Sequence, residues 1–258
     1  MPVEAASIVA ALRGSGCVFA EEEARLLVAE AAGDSELLPV MLDRRVHGEP
    51  LEHVLGWAEF CGLRIGVEPG VFVPRQRTEL LVREAARLAP PRPVVLDLCC
   101  GSGALGVALA ATLDGAEVYA ADVDPTAVRC ARRNLAPDRV FEGDLYAAVP
   151  ASLRGRVDVL LANVPYVPTA AIPGMPPEAR LHEPQVALDG GVDGLDVLRR
   201  VVADASTWLA AGGRLLIETS RRQGQTASTM FGVAGLSAVM VHDDDLDATA
   251  VVGTKPRR

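Results

Sequence analysis

From Val94 to Val252 the chain alternates short apolar runs with segments of helical length, and nothing else in it restricts the fold as strongly. Runs at 94–98, 117–121, 139–142, 157–162 and 214–218 read as strands, and two more lie near 237–241 and 249–252. Between them, 104–113, 125–134, 194–208 and 222–231 have the length and apolar spacing of helices. Strands alternating with helices of this size build βαβ units. The expected architecture is α/β and Rossmann-like, a mainly parallel seven-stranded sheet with helices on both faces.

The first part of the chain reads differently. Helical spacing is present at 5–12, 21–32 and 36–46, with Gly33-Asp34-Ser35 stopping one helix and capping the next. From Leu51 the pattern turns to weak alternation, and Glu68-Pro69-Gly70 offers a turn before Val71-Phe72-Val73. The expected division is therefore a small helical domain over 1–50, a linking β-hairpin over 51–74 and a larger domain over 75–258. A helix over 78–89 opens the larger domain. The connection between Tyr166 and Leu195 is long and rich in proline, and ordered loops of this length in compact domains carry function.

Composition limits the partners. The net charge of −9 is spread evenly, with nine basic and fourteen acidic residues before position 91 and sixteen and twenty after it. No basic stripe of the kind that neutralises phosphates stands out, so free nucleic acid is not the expected partner. The five cysteines are odd in number and lack metal-ligand spacing, which points to free thiols in a reducing compartment and no metal site. Neither a leader nor an apolar run of membrane-spanning length is visible, so the expected location is the cytoplasm.

Gly101-Ser102-Gly103-Ala104-Leu105-Gly106 matches G-x-G-x-x-G between a strand and a helix. Glycines there let the main chain approach a ligand at the carboxyl edge of the sheet. Asp122 ends the next strand, where a carboxylate accepts from ribose hydroxyls. Nicotinamide, flavin and S-adenosylmethionine proteins can all share this pattern. Three details favour S-adenosyl-L-methionine. Asp97 lies at the end of the first strand, Asp144 follows the third where an adenine amino group can donate to it, and the fourth strand ends in Asn163-Val164-Pro165-Tyr166.

That tetrapeptide suits a planar NH2 group. The side-chain oxygen of Asn163 and the carbonyl of Val164 supply two acceptors, Pro165 biases Val164 towards extended geometry, and Tyr166 can pack against a flat substrate. An amide nitrogen is a poor nucleophile because its lone pair is delocalised. Two fixed acceptors aim it and enrich it in electron density.

At these residues the chain resembles the HemK/PrmC family of protein-(glutamine-N5) methyltransferases, which modify the Gly-Gly-Gln glutamine of peptide-chain release factors. The similarity runs from about residue 48 to 254. It is carried by Val73-Pro74-Arg75-Gln76-Arg77-Thr78-Glu79, by Val95 to Gly103, and by His182-Glu183-Pro184 with Ala187-Leu188-Asp189-Gly190-Gly191 and Asp193-Gly194-Leu195. The resemblance implies a class I S-adenosylmethionine-dependent methyltransferase fold. It also implies cofactor contacts from Cys99, Cys100, Gly101, Ser102, Gly103, Asp122, Leu145 and Asn163, beside Asp97 and Asp144, and a target glutamine held by Asn163 to Tyr166. His182 is read as structural. The family pattern has proline at positions 164 and 76 and glycine at 99, its C-terminal D-x-x-G-x-x-R is degraded here, and the helical region is short. The likeness is thus to a divergent paralogue, whose protein substrate is a release factor or a related protein. The alternatives are a base amino group of DNA or ribosomal RNA as acceptor, or a non-catalytic cofactor-binding protein.

Overall fold

A computed structural model describes residues 2–257 of the chain. Four helices open it, α1 (Pro2–Gly14), α2 (Ala20–Ala31), α3 (Leu37–Val46) and α4 (Leu51–Leu55). They bury Leu12, Leu27, Met41, Val54 and Leu55 in a core of their own. Three glutamates in the first turn of α2 complement its helix dipole. Asp34 caps α3 by accepting from the main-chain N–H groups of Glu36 and Leu37 at 2.8 and 3.0 Å. Those bonds hold its carboxyl below the usual carboxylate range.

The expected boundary at residue 51 shifts. α4 packs inside the helical core, so only the stretch after Gly56 is hairpin. The turn expected at Glu68-Pro69-Gly70 forms, with the N–H of Val71 donating to the Glu68 carbonyl at 3.0 Å and Gly70 at φ +80°, but the two paired strands are joined elsewhere. Strands β1 (Trp57–Phe60) and β2 (Leu63–Gly66) pair Phe60 with Leu63 around Cys61 and Gly62, whose φ angles are +52° and +72°. Positive φ at both central residues is the type I′ geometry that matches strand twist. Residues 71–73 run without a strand partner. The hairpin is no free linker, because Phe60 and Ile65 are buried with α5 (Glu79–Leu88) in the core of the larger domain. Met1 and Arg258, the outer bounds of the expected division, lie outside the described residues.

The remaining elements alternate as expected. They are β3 (Val94–Leu98), α6 (Ala104–Thr112), β4 (Glu117–Asp122), α7 (Pro125–Asn134), β5 (Val140–Glu142) and β6 (Val157–Ala162). After the long connection, which holds the short helices α8 (Pro177–His182) and α9 (Gln185–Leu188), come α10 (Asp196–Trp208), β7 (Leu209–Glu218), α11 (Gly224–Val233), β8 (Ser237–Asp243) and β9 (Ala248–Thr254). α10 begins two residues later than the spacing predicts because Gly194 is left-handed at φ +76° and Asp193 accepts from the N–H of Leu195 at 3.1 Å. β7 begins five residues earlier than expected, its first residue pairing with Val157 across a register shift.

The sheet order is β5-β4-β3-β6-β7-β9-β8. The first five strands are parallel, and β9 inserts antiparallel between β7 and β8. One face packs on α10 and α11 through Leu198, Val201, Trp208 and Phe231, the other on α5 and α6 through Leu81, Ala85 and Leu109. Each of the leucine, valine and phenylalanine side chains contributes about 1.5–3 kcal/mol by leaving water. The chain leaves β3 towards β4 on one side and later returns to β6 on the other. That reversal opens a crevice at the carboxyl ends of β3 and β6, where open α/β sheets bind ligands. No helix among the described residues is long and apolar enough to cross a membrane.

Candidate active site

The turn after β3 is built from left-handed residues. Cys99, Gly101 and Gly103 have φ of +55°, +55° and +80°. A Cβ on Gly103 would stand 2.9 Å from Leu135 Cδ1, whereas one on Gly101 would meet nothing within 4 Å, so Gly101 leaves its side open. Asp122, at the end of β4, holds the turn in place. Its Oδ2 accepts from the N–H of Gly101 at 2.8 Å and its Oδ1 from that of Asp124 at 2.9 Å. Burial pushes the Asp122 carboxyl up, and these two bonds oppose the shift. Asn134 secures the turn from behind. Its Nδ2 donates to the carbonyls of Ser102 and Gly66, both at 2.8 Å, joining the hairpin to the turn.

Cys99 is the one non-glycine in this run with positive φ, a region that costs a side chain about 1–2 kcal/mol. Its thiol is pushed up by burial. Cys99→Gly should raise stability by about 0.5 kcal/mol after loss of the partly buried side chain. A chemical-denaturation midpoint that moves up at constant slope is the expected reading; a lower midpoint would show that packing outweighs strain.

A cleft runs from this turn across the sheet edge. Cys99, Cys100, Gly101, Ser102 and Asp122 line one end, and Asn163, Val164, Pro165 and Tyr166 line the other. The remaining residues singled out from sequence stand elsewhere. Asp97 is fully buried beneath the turn and accepts from the N–H of Gly106 at 3.2 Å, and burial pushes its carboxyl up to about 7. Gly103 packs on Leu135. Asp144 points outward to Arg200 Nη2 at 2.5 Å. Leu145, left-handed at φ +48°, packs into the core.

The tetrapeptide is gripped by residues far away in the chain. Asn163 Nδ2 makes a long contact of 3.5 Å with the buried Thr78 Oγ1, and Asn163 Oδ1 has no hydrogen-bond partner among the described residues. Val164 puts its side chain into the core at 1 % exposure, and its N–H has no protein partner among the described residues. Tyr166 donates its hydroxyl to Glu218 Oε1 at 3.0 Å, and Gln223 Nε2 donates to the Tyr166 carbonyl at 3.1 Å.

The run from Gly190 to Gly194 fits around this backbone. A Cβ on Gly190 would fall 2.7 Å from the Pro165 carbonyl oxygen, and one on Gly194 would fall 2.3 Å from that of Tyr166. Main-chain bonds from Val167 to Leu188 and from Gly190 to Val167 complete the join at 3.1 and 2.9 Å. The glycine pattern is therefore a mould for the tetrapeptide.

Glu183 performs a similar service for the opposite wall. It is buried and accepts from the N–H of Val73 at 3.2 Å and from Arg75 Nη2 at 2.6 Å, tying the segment before α5 to the roof of the cleft. The helical domain also reaches this roof, since Arg45 contacts Glu178 of α8 at 3.0 Å while bonded to Glu23 at 2.6 Å. Sequence reasoning passed over Asn134, Thr78, Glu218 and Gln223. Thr78 lies within a quoted segment, but none of the four carries a local signal, because each acts on a residue at least 32 positions away.

The chain is similar to several known proteins. The family model described as Ribosomal protein L11 methyltransferase (PrmA) matches residues 76–169. A release factor glutamine methyltransferase from Geobacter sulfurreducens is 40 % identical over 217 residues, covering 83 % of this chain and 75 % of that protein. One of the same name from Bifidobacterium longum is 33 % identical over 271 residues, covering 90 % and 92 %, so the likeness extends into the helical domain. A 4-amino-L-phenylalanine/4-methylamino-L-phenylalanine methyltransferase from Streptomyces pristinaespiralis is 36 % identical over 201 residues, covering 74 % and 68 %. Among solved structures, the 16S rRNA methyltransferase RsmC of T. thermophilus, in complex with AdoMet and guanosine, shares the fold with a TM-score of 0.56 at 20 % identity, covering 77 % of this chain and 49 % of that one.

Proposed function

Because the chain belongs to the family of release factor glutamine methyltransferases, we infer that it methylates the side-chain amide nitrogen of a release-factor glutamine with S-adenosyl-L-methionine as donor. The observation that carries this reading is the single cleft shared by the glycine turn and the tetrapeptide. A release-factor substrate places the reaction in the cytoplasm, with a protein rather than free nucleic acid as the acceptor.

The residues present fit the donor. Gly101 leaves open space where a side chain would project, and the Asp122 carboxylate faces the same end of the cleft with both oxygens already ordered by main-chain N–H groups. Cys99 to Ser102 and Asp122 would hold it there, and when bound it supplies an electrophilic methyl group on sulfur.

Everything else falls to the chain. Asn163 Oδ1 and the Val164 carbonyl accept the two N–H bonds of the target amide, which fixes its plane and returns electron density to nitrogen. Thr78, by taking the Asn163 NH2, keeps the oxygen rather than the nitrogen of that side chain available. Pro165 offers no N–H to compete for the acceptors. The ring of Tyr166 forms a flat wall. Alignment of nitrogen with methyl is a proximity effect, and the surplus proton leaves once the new bond has formed.

Incubation with labelled S-adenosyl-L-methionine and a nucleic-acid-depleted extract of the source organism tests the reading. Label on the glutamine of a Gly-Gly-Gln sequence is expected by mass spectrometry. Label that appears only when RNA or DNA is restored, or methylation of 4-amino-L-phenylalanine with none on a release factor, would overturn it.

Val164 stands where the family pattern that this chain resembles has a proline. Its carbonyl is the functional atom, and its N–H has no protein partner among the described residues. Val164→Pro should leave kcat within about fivefold, under about 1 kcal/mol of barrier. A larger loss in steady-state assays would show that the valine side chain sets the acceptor position.

A further inference from the structure

Tyr166 is held at both ends by the turn that joins β7 to α11. Glu218, the last residue of β7, is 3 % exposed. Its Oε1 takes the Tyr166 hydroxyl at 3.0 Å and Arg77 Nε at 3.1 Å, while its Oε2 has no partner among the described residues. Gln223 donates from one Nε2 to the carbonyls of Tyr166 and Asp193, at 3.1 and 3.0 Å. Ser220 Oγ fixes the orientation of that amide by donating to Gln223 Oε1 at 2.5 Å.

A purely structural contact would not need this chemistry. Apolar residues of similar volume fill such space without desolvating a carboxylate, and a buried carboxylate with one unpaired oxygen costs stability. Burial and then the Glu218 charge push the Tyr166 hydroxyl up, so it remains a donor at working pH. The arrangement fixes direction rather than adding cohesion.

We propose that Glu218 and Gln223 are positioning residues for methyl transfer. Glu218 sets the plane of the Tyr166 ring through the hydroxyl. Gln223, through the Tyr166 carbonyl, sets where the Asn163–Val164 acceptors stand relative to the cleft. Arg77 steadies Glu218 from the cleft side, its guanidinium 5.9 Å from the ring centroid. This inference rests on the reading that Asn163 to Tyr166 receives the target amide.

A double-mutant cycle on the full chain tests it. Tyr166→Phe and Glu218→Ala should each lower kcat about tenfold, with cofactor affinity and KM little changed, and the double variant should be no slower than either, as expected for residues that act through one contact. Additive losses would overturn the proposal. Should Glu218→Ala fail to fold, the partly exposed Gln223 serves instead. Gln223→Glu keeps the acceptor for Ser220 and removes both donors, so an unchanged kcat in that variant would overturn the proposal as well. The chain has only three tyrosines, so a spectrum of protein carrying ¹³Cζ-tyrosine shows few signals. The Tyr166 signal should shift or broaden in Glu218→Ala and Gln223→Glu while Tyr119 and Tyr146 stay put. That readout needs no methyl acceptor. If wild-type protein failed to methylate a release factor, the functional reading alone would fall, and an unmoved Tyr166 signal would separately overturn the positioning role.

Discussion

Asn163→Ala is expected to lower kcat on a release factor by about 10³-fold while cofactor affinity changes little. On the proposed reading the side chain supplies one of two acceptors for the target NH2, and loss of a comparable preorganised hydrogen-bonding group costs about 10²–10³ in rate. A further loss follows because the amide can then rotate about its one remaining contact. Asn163 is only half-buried, and its one side-chain hydrogen bond among the described residues is the 3.5 Å approach to Thr78, so the fold should survive. Thermal melts check the fold, calorimetric titration with S-adenosylhomocysteine checks the cofactor end, and single-turnover methylation checks the chemistry. A rate within tenfold of wild type would remove Asn163 from the mechanism.

Gly194→Ala should be the most damaging change outside the motif. The residue is left-handed at φ +76°, and an added Cβ would stand 2.3 Å from the Tyr166 carbonyl oxygen and 2.5 Å from Gln223 Nε2. One neighbour is main chain, so the tetrapeptide itself must move. The expected loss is about 2–4 kcal/mol of stability and about 10²-fold in kcat, the penalty for displacing a reacting group by roughly 1 Å. Gly155 provides the control. It has φ +69° with nothing within 4 Å of its missing Cβ, so Gly155→Ala carries the backbone strain without the collision. It should cost only about 1–2 kcal/mol and leave kcat alone. Equal kinetic effects in the two variants would show that Gly194 acts through strain and not through the tetrapeptide.

The strands and helices of the larger domain were legible because each is written locally, in runs such as Val157 to Ala162. The glycine turn and the tetrapeptide were legible for the same reason. The hairpin was misplaced because Glu68-Pro69-Gly70 looks more like a turn than Cys61-Gly62 does, although only the latter has positive φ at two adjacent residues. Asp97 and Asp144 illustrate a different gap. Spacing locates them at strand ends but not the direction of their side chains, which is set by the N–H of Gly106 and by Arg200. The glycines at 190, 191 and 194 were recognisable only as a pattern. Their cause, the close approach of the Pro165 and Tyr166 carbonyls and of Asp196, belongs to the assembled fold.

The bonds that shape the cleft span unusual stretches of chain, 110 residues from Val73 to Glu183 and 141 from Arg77 to Glu218. Contacts of such high sequence separation are the slowest to form, because loop-closure entropy must be met before they yield any stabilisation. β7, which ends in Glu218, is moreover flanked by β9, so Glu218 gains its ladder partner Ala250 only after the last strand has docked. The cleft should therefore mature after the sheet has collapsed. In a refolding experiment, protection of core amides in β3 and β6 should precede the recovery of cofactor binding, leaving an interval in which the chain is folded but not yet competent.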